Sequence, residues 1–284
     1  MSDKRSIQLE QQLTFSTLGC PDCSLGQVCD LAEAHGIRQL DLRFLEGCTD
    51  LPAYVARCFS CPEELVDYLR MRGMKVQVLN TSFSLLNHRQ EDREEFLRFA
   101  ELADRLEVPY LRVFDGGSGV DPGNEELESA VDSILWWRAL KAEFEFDVDI
   151  AVETHTALVK SDSVLRLQKR LNTPVKLVWD SFHTWCEGGE ELSDTWMQLK
   201  PFVVHVHVKD GAPLQRPSTE PNYSLPGEGF FPLKELFSML CRDEYSGGIS
   251  LEWERAWHRY LPDLEAALPE FIKLVNTHWM RNEA

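Results

Sequence analysis

The chain has 284 residues, 43% of them hydrophobic, which is ample apolar material for one globular domain and calls for no second one. Its 47 acidic side chains outnumber 29 basic ones, and a formal charge of -18 repels phosphate backbones and anionic headgroups, so neither nucleic acid nor a membrane surface is an expected partner. No apolar run nears the roughly 20 residues of a membrane span, and the polar opening Met1-Ser2-Asp3-Lys4-Arg5 is no signal-peptide core, so a cytoplasmic location is expected.

After a polar tail over residues 1–12, Leu13 to Leu18 reads as a first strand, and Leu25, Val28, Leu31 and Ala32 mark a helix that stops at Gly36. Arg38 to Arg43 is a second strand. Alternation puts Asp41 and Arg43 on one face, either looking into a mouth or paired with each other. Pro62 opens the next helix, Lys75 to Asn80 is the third strand, and Ser82 to Arg89 is a loop whose Phe83, Leu85 and Leu86 either wall a ligand or plug the body. A helix through Phe96 and Leu106 leads to the fourth strand, Tyr110 to Phe114, with Arg112 at its middle. The glycine-rich loop that follows has no phosphate-binding fingerprint.

The helix from Asn124 to Phe146 carries Trp136 and Trp137, which read as packing or as a subunit contact in a homo-oligomer. Helices over 160–171, 192–199 and 232–241 then separate four more strands, Ile150 to His155, Leu177 to His183, Phe202 to Val208 and Ile249 to Glu254. A last helix runs from Pro262 to about Trp279. Two CxxC pairs, Cys20/Cys23 and Cys58/Cys61, are too far apart in the chain for a closed structural zinc site and read as reduced thiols.

Each of the last four strands ends in polar chemistry. Glu153, Asp180 and His207 fall at intervals of 27 residues, the length of one strand, loop and helix, and Glu252 follows after a longer connection. Eight strands in this rhythm predict a single-domain α/β fold, a (β/α)8 TIM barrel over residues 1–284, whose strand ends converge on one mouth. Three carboxylates and one imidazole there suit a single divalent ion, Mn2+, Mg2+, Co2+ or Zn2+. On the seventh strand His207 lies nearer the mouth than His205, which reads as a packed, hydrogen-bonded histidine; on the eighth, only the strand's end decides between Glu252 and Glu254. His155 and His183, just beyond two of these carboxylates, face substrate or orient them. The segment from Gly211 to Phe231 is long and rich in Pro and Gly, as a lid would be.

These motifs, Glu153-Thr154-His155, Asp180-Ser181-Phe182-His183, His205-Val206-His207-Val208-Lys209-Asp210, Gly227-Glu228-Gly229 and Leu251-Glu252-Trp253-Glu254, resemble the xylose-isomerase-like TIM-barrel superfamily, the sugar phosphate isomerase/epimerase group. The resemblance implies metal ligands at Glu153, Asp180, His207 and Glu252. It implies a metal-dependent isomerase or epimerase that moves a proton α to the carbonyl of a small polyhydroxylated substrate, a sugar, sugar phosphate or cyclitol ketone, through a metal-stabilised enediolate. Glu153 and Glu252 would be the acid–base pair, with His183 and Lys209 polarising substrate and His155, Arg112 and Arg43 binding it. The arginine that ketose epimerases place soon after the seventh-strand histidine has no counterpart at matching spacing; Arg216 lies in the same loop. Members that cleave abasic DNA carry extra histidines on early strands, where this chain has Asn80 and Arg112. The alternatives are a lyase of the dehydroshikimate or inosose dehydratase type and a non-catalytic sugar-binding barrel.

Overall fold

The computed structural model describes residue 9 and residues 11–214 and 221–279. Its strands are β1 (Leu13–Phe15), β2 (Gln39–Leu42), β3 (Lys75–Ser84), β4 (Tyr110–Phe114), β5 (Asp149–Glu153), β6 (Lys176–Asp180), β7 (Val203–Val208), a short antiparallel ribbon of β8 (Gly211–Ala212) and β9 (Asn222–Tyr223), and β10 (Gly248–Leu251). Eight of them form one parallel sheet in the order β1-β10-β7-β6-β5-β4-β3-β2. A parallel bridge from Ser16 to Asp41 brings its two edges together, so the ring is nearly closed. The expected (β/α)8 barrel is the observed architecture.

Among the described residues ten helices surround the strands: α1 (Leu25–Ala34), α2 (Leu51–Cys58), α3 (Pro62–Met71), α4 (Gln90–Arg105), α5 (Asn124–Phe144), α6 (Ser161–Gln168), α7 (Ser181–Cys186), α8 (Leu192–Leu199), α9 (Leu233–Arg242) and α10 (Leu264–Trp279). The hydrophobic core lies between the outer strand faces, with Phe15, Leu111 and Val152, and the inner helix stripes, with Val28, Phe99 and Ile134. The inner strand faces are largely polar, because alternation turns Asp41, Asn80, Arg112, His205, His207 and Ser250 inward, all of them buried.

Several local expectations are corrected. Sequence periodicity missed α2, eight residues capped by Asp50, whose carboxylate accepts the Ala53 N–H at 3.0 Å. The sixth strand stops at Asp180 and not at His183, because Asp180 caps α7. Strand β1 ends at Phe15, where Ser16 caps a 3-10 turn over Thr17–Gly19, and β3 runs past Asn80 to Ser84. Phe83 is buried and stacks on Trp136 at 5.6 Å, so the 82–89 loop is a plug. Trp137 is buried against Phe96, which makes it packing. Of the expected tail, Gln12 is buried and donates to the carbonyls of Tyr245 and Gly247 at 2.7 and 3.0 Å, closing the lower end of the barrel. None of the eight cysteines forms a disulfide.

Gly248 opens β10 beside His205. A Cβ there would come within 2.3 Å of His205 Nδ1 and 2.4 Å of Gln77 Oε1, so the buried imidazole needs a glycine opposite it. Gly248→Ala is therefore expected to destabilise the chain by about 1–3 kcal/mol, the usual cost of overpacking, seen as an unfolding midpoint lowered by several degrees. An unchanged midpoint would show that the barrel floor has room to spare.

Candidate metal centre

The register of the barrel assembles the site. His207 lies beside Asp180 on one neighbouring strand and Ser250 on the other, Glu153 ends β5, and Glu252 follows β10 directly. One donor atom from each of Glu153, Asp180, His207 and Glu252 falls within 4.8 Å of all the others, and all four residues are buried. His207 Nδ1 is 2.8 Å from Glu153 Oε1 and 3.2 Å from Glu252 Oε2. Asp180 divides its two oxygens. Oδ1 caps α7 by accepting the N–H groups of Phe182 and His183 at 3.0 and 2.9 Å, while Oδ2 points into the cluster.

Lys209, next on the inward face after His207, reaches into the same cluster. Its ammonium is 2.8 Å from Asp180 Oδ2 and 2.6 Å from Glu254 Oε1, and it also pairs with Glu252. Of the two eighth-strand glutamates, Glu252 is among the four donors and Glu254 pairs with the lysine. His183 Nε2 is 3.5 Å from Lys209 Nζ, and the His155 ring packs edge-on against His183 at 4.9 Å, so both histidines line the mouth. Arg112 is buried, donating to Asn80 Oδ1 at 2.8 Å and lying 3.4 Å from Glu153 Oε2. Arg43 does not pair with Asp41: it donates to Ser82 Oγ at 3.1 Å, and Asp41 turns to the histidines instead. Arg43 and Arg112 both approach the Phe114 ring, at 5.9 and 4.0 Å. Arg216 lies outside the described residues.

Charge on this cluster is unevenly held. Burial acts to raise the Glu153 pKa, but Arg112 and His207 outweigh it and lower it to about 2. Glu252 is lowered likewise, against burial, by His207 and Lys209. Asp180 goes the other way, pushed up to about 7 by burial and by the charges of Glu252 and Glu153 despite Lys209. The two glutamates raise His207 against the effect of burial, whereas burial and Lys209 depress His183. Lys209 holds its proton firmly, since Asp180, Glu252 and Glu254 outweigh its burial.

Sequence reading missed two further carboxylates. Asp115, fully buried, accepts the backbone N–H groups of Gly116, His155, Thr156 and Leu158 at 2.7 to 3.1 Å, and so fixes the loop that carries His155. Asp210 does the same for the expected lid, accepting from Gly211, Gly227, Gly229 and Phe231. The turn at Leu225 to Gly229 is pinned to the rim. Both carboxylates precede a glycine within two residues of a strand's end, a pattern that reads as a simple strand stop.

The donor set fits a divalent cation. Glu153 Oε2 and Asp180 Oδ2 are buried and without a hydrogen bond of good geometry, although Arg112 and Lys209 lie near them, so lone pairs remain directed into the cluster. Three hard oxygen donors with one imidazole suit Mn2+, Mg2+, Co2+ or Zn2+, and no cysteine belongs to the group.

The family described as xylose isomerase-like TIM barrel matches residues 25–276. Among solved structures, the IOLI protein with a binding zinc atom shares 21% identity over 95% of this chain and 99% of its own, with a TM-score of 0.75. The probable 3-DHS dehydratase AsbF from Bacillus anthracis, involved in petrobactin synthesis, shares 19% over 93% of this chain and 98% of its own, also at 0.75. An L-ribulose 3-epimerase shares 12% over 94% of each chain at 0.70. No curated protein matches the sequence. At such identities the structural likeness bears on fold alone. No described helix is long and apolar enough to cross a membrane.

Asp180 and His207 both keep protons to higher pH than usual and must release them to act as ligands, so acid competes with a cation for this site. Affinity for Mn2+ or Zn2+, measured by chelator competition, should fall as pH drops from 8 through 7 to 6. The same affinity at pH 6 and pH 8 would contradict the raised proton affinities of Asp180 and His207.

Proposed function

The chain belongs to the xylose isomerase-like TIM barrel family, and on that premise we propose that it is a divalent-metal-dependent isomerase or epimerase acting on a small polyhydroxylated carbonyl compound. The observation that carries the reading is the pair Glu153 and Glu252, one from β5 and one after β10, each within 3.2 Å of His207 Nδ1 and each held in its basic form. A carbon next to a carbonyl gives up its proton only to a well-placed base, and epimerisation needs a second group to return one from the other face. The zinc named in the IOLI structure shows that a barrel of this likeness binds a cation, which supports the reading.

In this reading Glu153, Asp180, His207 and Glu252 hold the ion. It supplies positive charge beside the substrate oxygen that gains electrons as the proton leaves. Glu153 and Glu252 take and return that proton. His183, kept neutral, and the Lys209 ammonium present hydrogen-bond donors to substrate hydroxyls on one side. Arg112 and Arg43 line the other, and His155 packs beside His183. The burial of all but His155 keeps water from competing for the carbanion.

A lyase is the second reading. The Lys209 ammonium, 3.5 Å from His183 Nε2 and ringed by carboxylates, could donate a proton to a departing hydroxyl, and a probable dehydratase is among the structural relatives. Proton NMR in D2O with a panel of ketoses, cyclic ketones and 3-dehydroshikimate separates the two. An isomerase incorporates deuterium at the carbon next to the carbonyl, while a lyase releases water and yields a conjugated enone from a saturated ketone or an aromatic diol from 3-dehydroshikimate, each seen by its ultraviolet absorption. Glu153→Gln and Glu252→Gln should each lower turnover by about 10^2 to 10^4, the range expected for loss of acid–base catalysis. Neither exchange nor elimination on any ketone that binds would sink both readings.

A further inference from the structure

Behind His207, on the side away from the four donors, Asp41 is fully buried at the centre of the barrel. Its Oδ2 accepts from Ser250 Oγ at 2.7 Å and lies 3.2 Å from His205 Nε2 and 3.3 Å from His207 Nε2. Its other oxygen, Oδ1, accepts from the side-chain amide of Asn80. That amide is oriented without ambiguity, since its nitrogen also donates to the Leu42 carbonyl at 3.1 Å and its oxygen accepts from Arg112 Nε. Ser250 and Asn80 donate to Asp41, and His205 and His207 each do so in the tautomer with hydrogen on Nε2. The carboxylate is thereby clamped, and His207 Nε2, buried and with no hydrogen bond of standard geometry, needs only a small ring rotation to donate to it.

A neutral imidazole has one N–H, and the nitrogen that carries it cannot be a ligand. In the tautomer with hydrogen on Nδ1, His207 would donate to Glu153 Oε1, 2.8 Å away, and the lone pair that the site needs would be lost. In the other tautomer the hydrogen is on Nε2 and faces Asp41. We propose that Asp41, held by Ser250, Asn80 and His205, is a positioning residue that selects the Nε2–H tautomer of His207 and so keeps Nδ1 open toward a divalent ion. The proposal rests on the reading that the four donors hold that ion. Carboxylates behind metal-binding histidines commonly play this part, and their loss typically costs 10- to 100-fold in affinity. Asp41, His205 and His207 also lie close enough together to hold an ion of their own, so the test must count ions.

The experiment uses the full chain with histidine 15N-labelled. Asp41→Asn preserves volume but places an amide among donors on every side, so it cannot accept from Ser250, Asn80 and both histidines at once. Long-range 1H–15N spectra of the metal-free protein, recorded at a pH high enough that His207 carries a single ring proton, report its tautomer, and Zn2+ titration against a chromophoric chelator reports affinity and stoichiometry. The expected result is one ion per chain in the wild type, 10- to 100-fold weaker binding in Asp41→Asn, and a shift of His207 toward the Nδ1–H form. The tautomer readout separates positioning from the mere loss of a negative charge. Ser250→Ala keeps the carboxylate and loosens it; should Asp41→Asn not fold, this variant carries the test, with a several-fold loss and a partial tautomer shift expected. Unchanged tautomer, unchanged affinity, or two ions per chain with one lost on substitution would overturn the proposal. A wild type that binds no ion at all would instead overturn the metal reading beneath it.

Discussion

Repulsion among carboxylates that the barrel gathers out of water is the constraint on which the rest of the mouth depends. Asp41, Glu153, Asp180, Glu252 and Glu254 are all buried, and the fixed cations near them are Arg43, Arg112 and Lys209. Desolvating a carboxylate costs several kcal/mol unless charge or hydrogen bonds compensate. The cluster is therefore short of positive charge by two, which is the charge of one divalent ion. The protein's own remedy is visible in the direction of its proton affinities: Asp180 is pushed up and His207 is raised, so protons are drawn to the places where a cation would bind. Such a site is costly to fold and ready to be filled.

The geometry that imposes this cost also fixes its position. Donors on adjacent parallel strands are held by ladder hydrogen bonds, and Asp180 is further tied to the first turn of α7 through Oδ1. Little side-chain freedom remains to be lost when a ligand arrives. Asp115 and Asp210 extend the rigidity to the loops. Each collects four backbone N–H groups that would otherwise be left without partners in the rim. The loop bearing His155 and the turn at Gly227 and Gly229 are thus parts of the scaffold, whatever the remaining loop residues do.

Much of this was legible in the chain because period-two alternation survives in a strand whatever surrounds it. Val206 and Val208 face the helices while His205, His207 and Lys209 face inward, as their order requires, and the spacing of Glu153, Asp180 and His207 follows from one barrel unit per donor. Alternation says which face a residue takes, and nothing about its partner across the ring. Asp41 and Arg43 share a face as expected, yet one turns to His205 and the other to Ser82, because cross-barrel distances depend on how eight strands tilt and close. Helices α2 and α7 escaped for a different reason. They are short, and a cap at Asp50 or Asp180 carries as much of the signal as their periodicity does.

The donor set cannot by itself choose the reaction. A divalent ion beside a carbonyl favours loss of a proton from the next carbon in any protein that holds one, and both an isomerase and a lyase begin with that step. The two diverge on whether the next proton goes to carbon or to a departing oxygen, and hence on which acid stands nearer to which atom. Glu252 and Glu254 differ in this respect although they are two residues apart. Glu252 touches both His207 and Lys209, so its carboxylate belongs to the four-donor cluster and to the ammonium beside it. Glu254 touches the lysine without being among the four donors. Lys209, shared between them and Asp180, is the group whose proton lies closest to the boundary between the two outcomes, and its three carboxylates make that proton hard to give away. A carboxylic acid at Glu153 or Glu252 gives up a proton far more readily than an ammonium so surrounded.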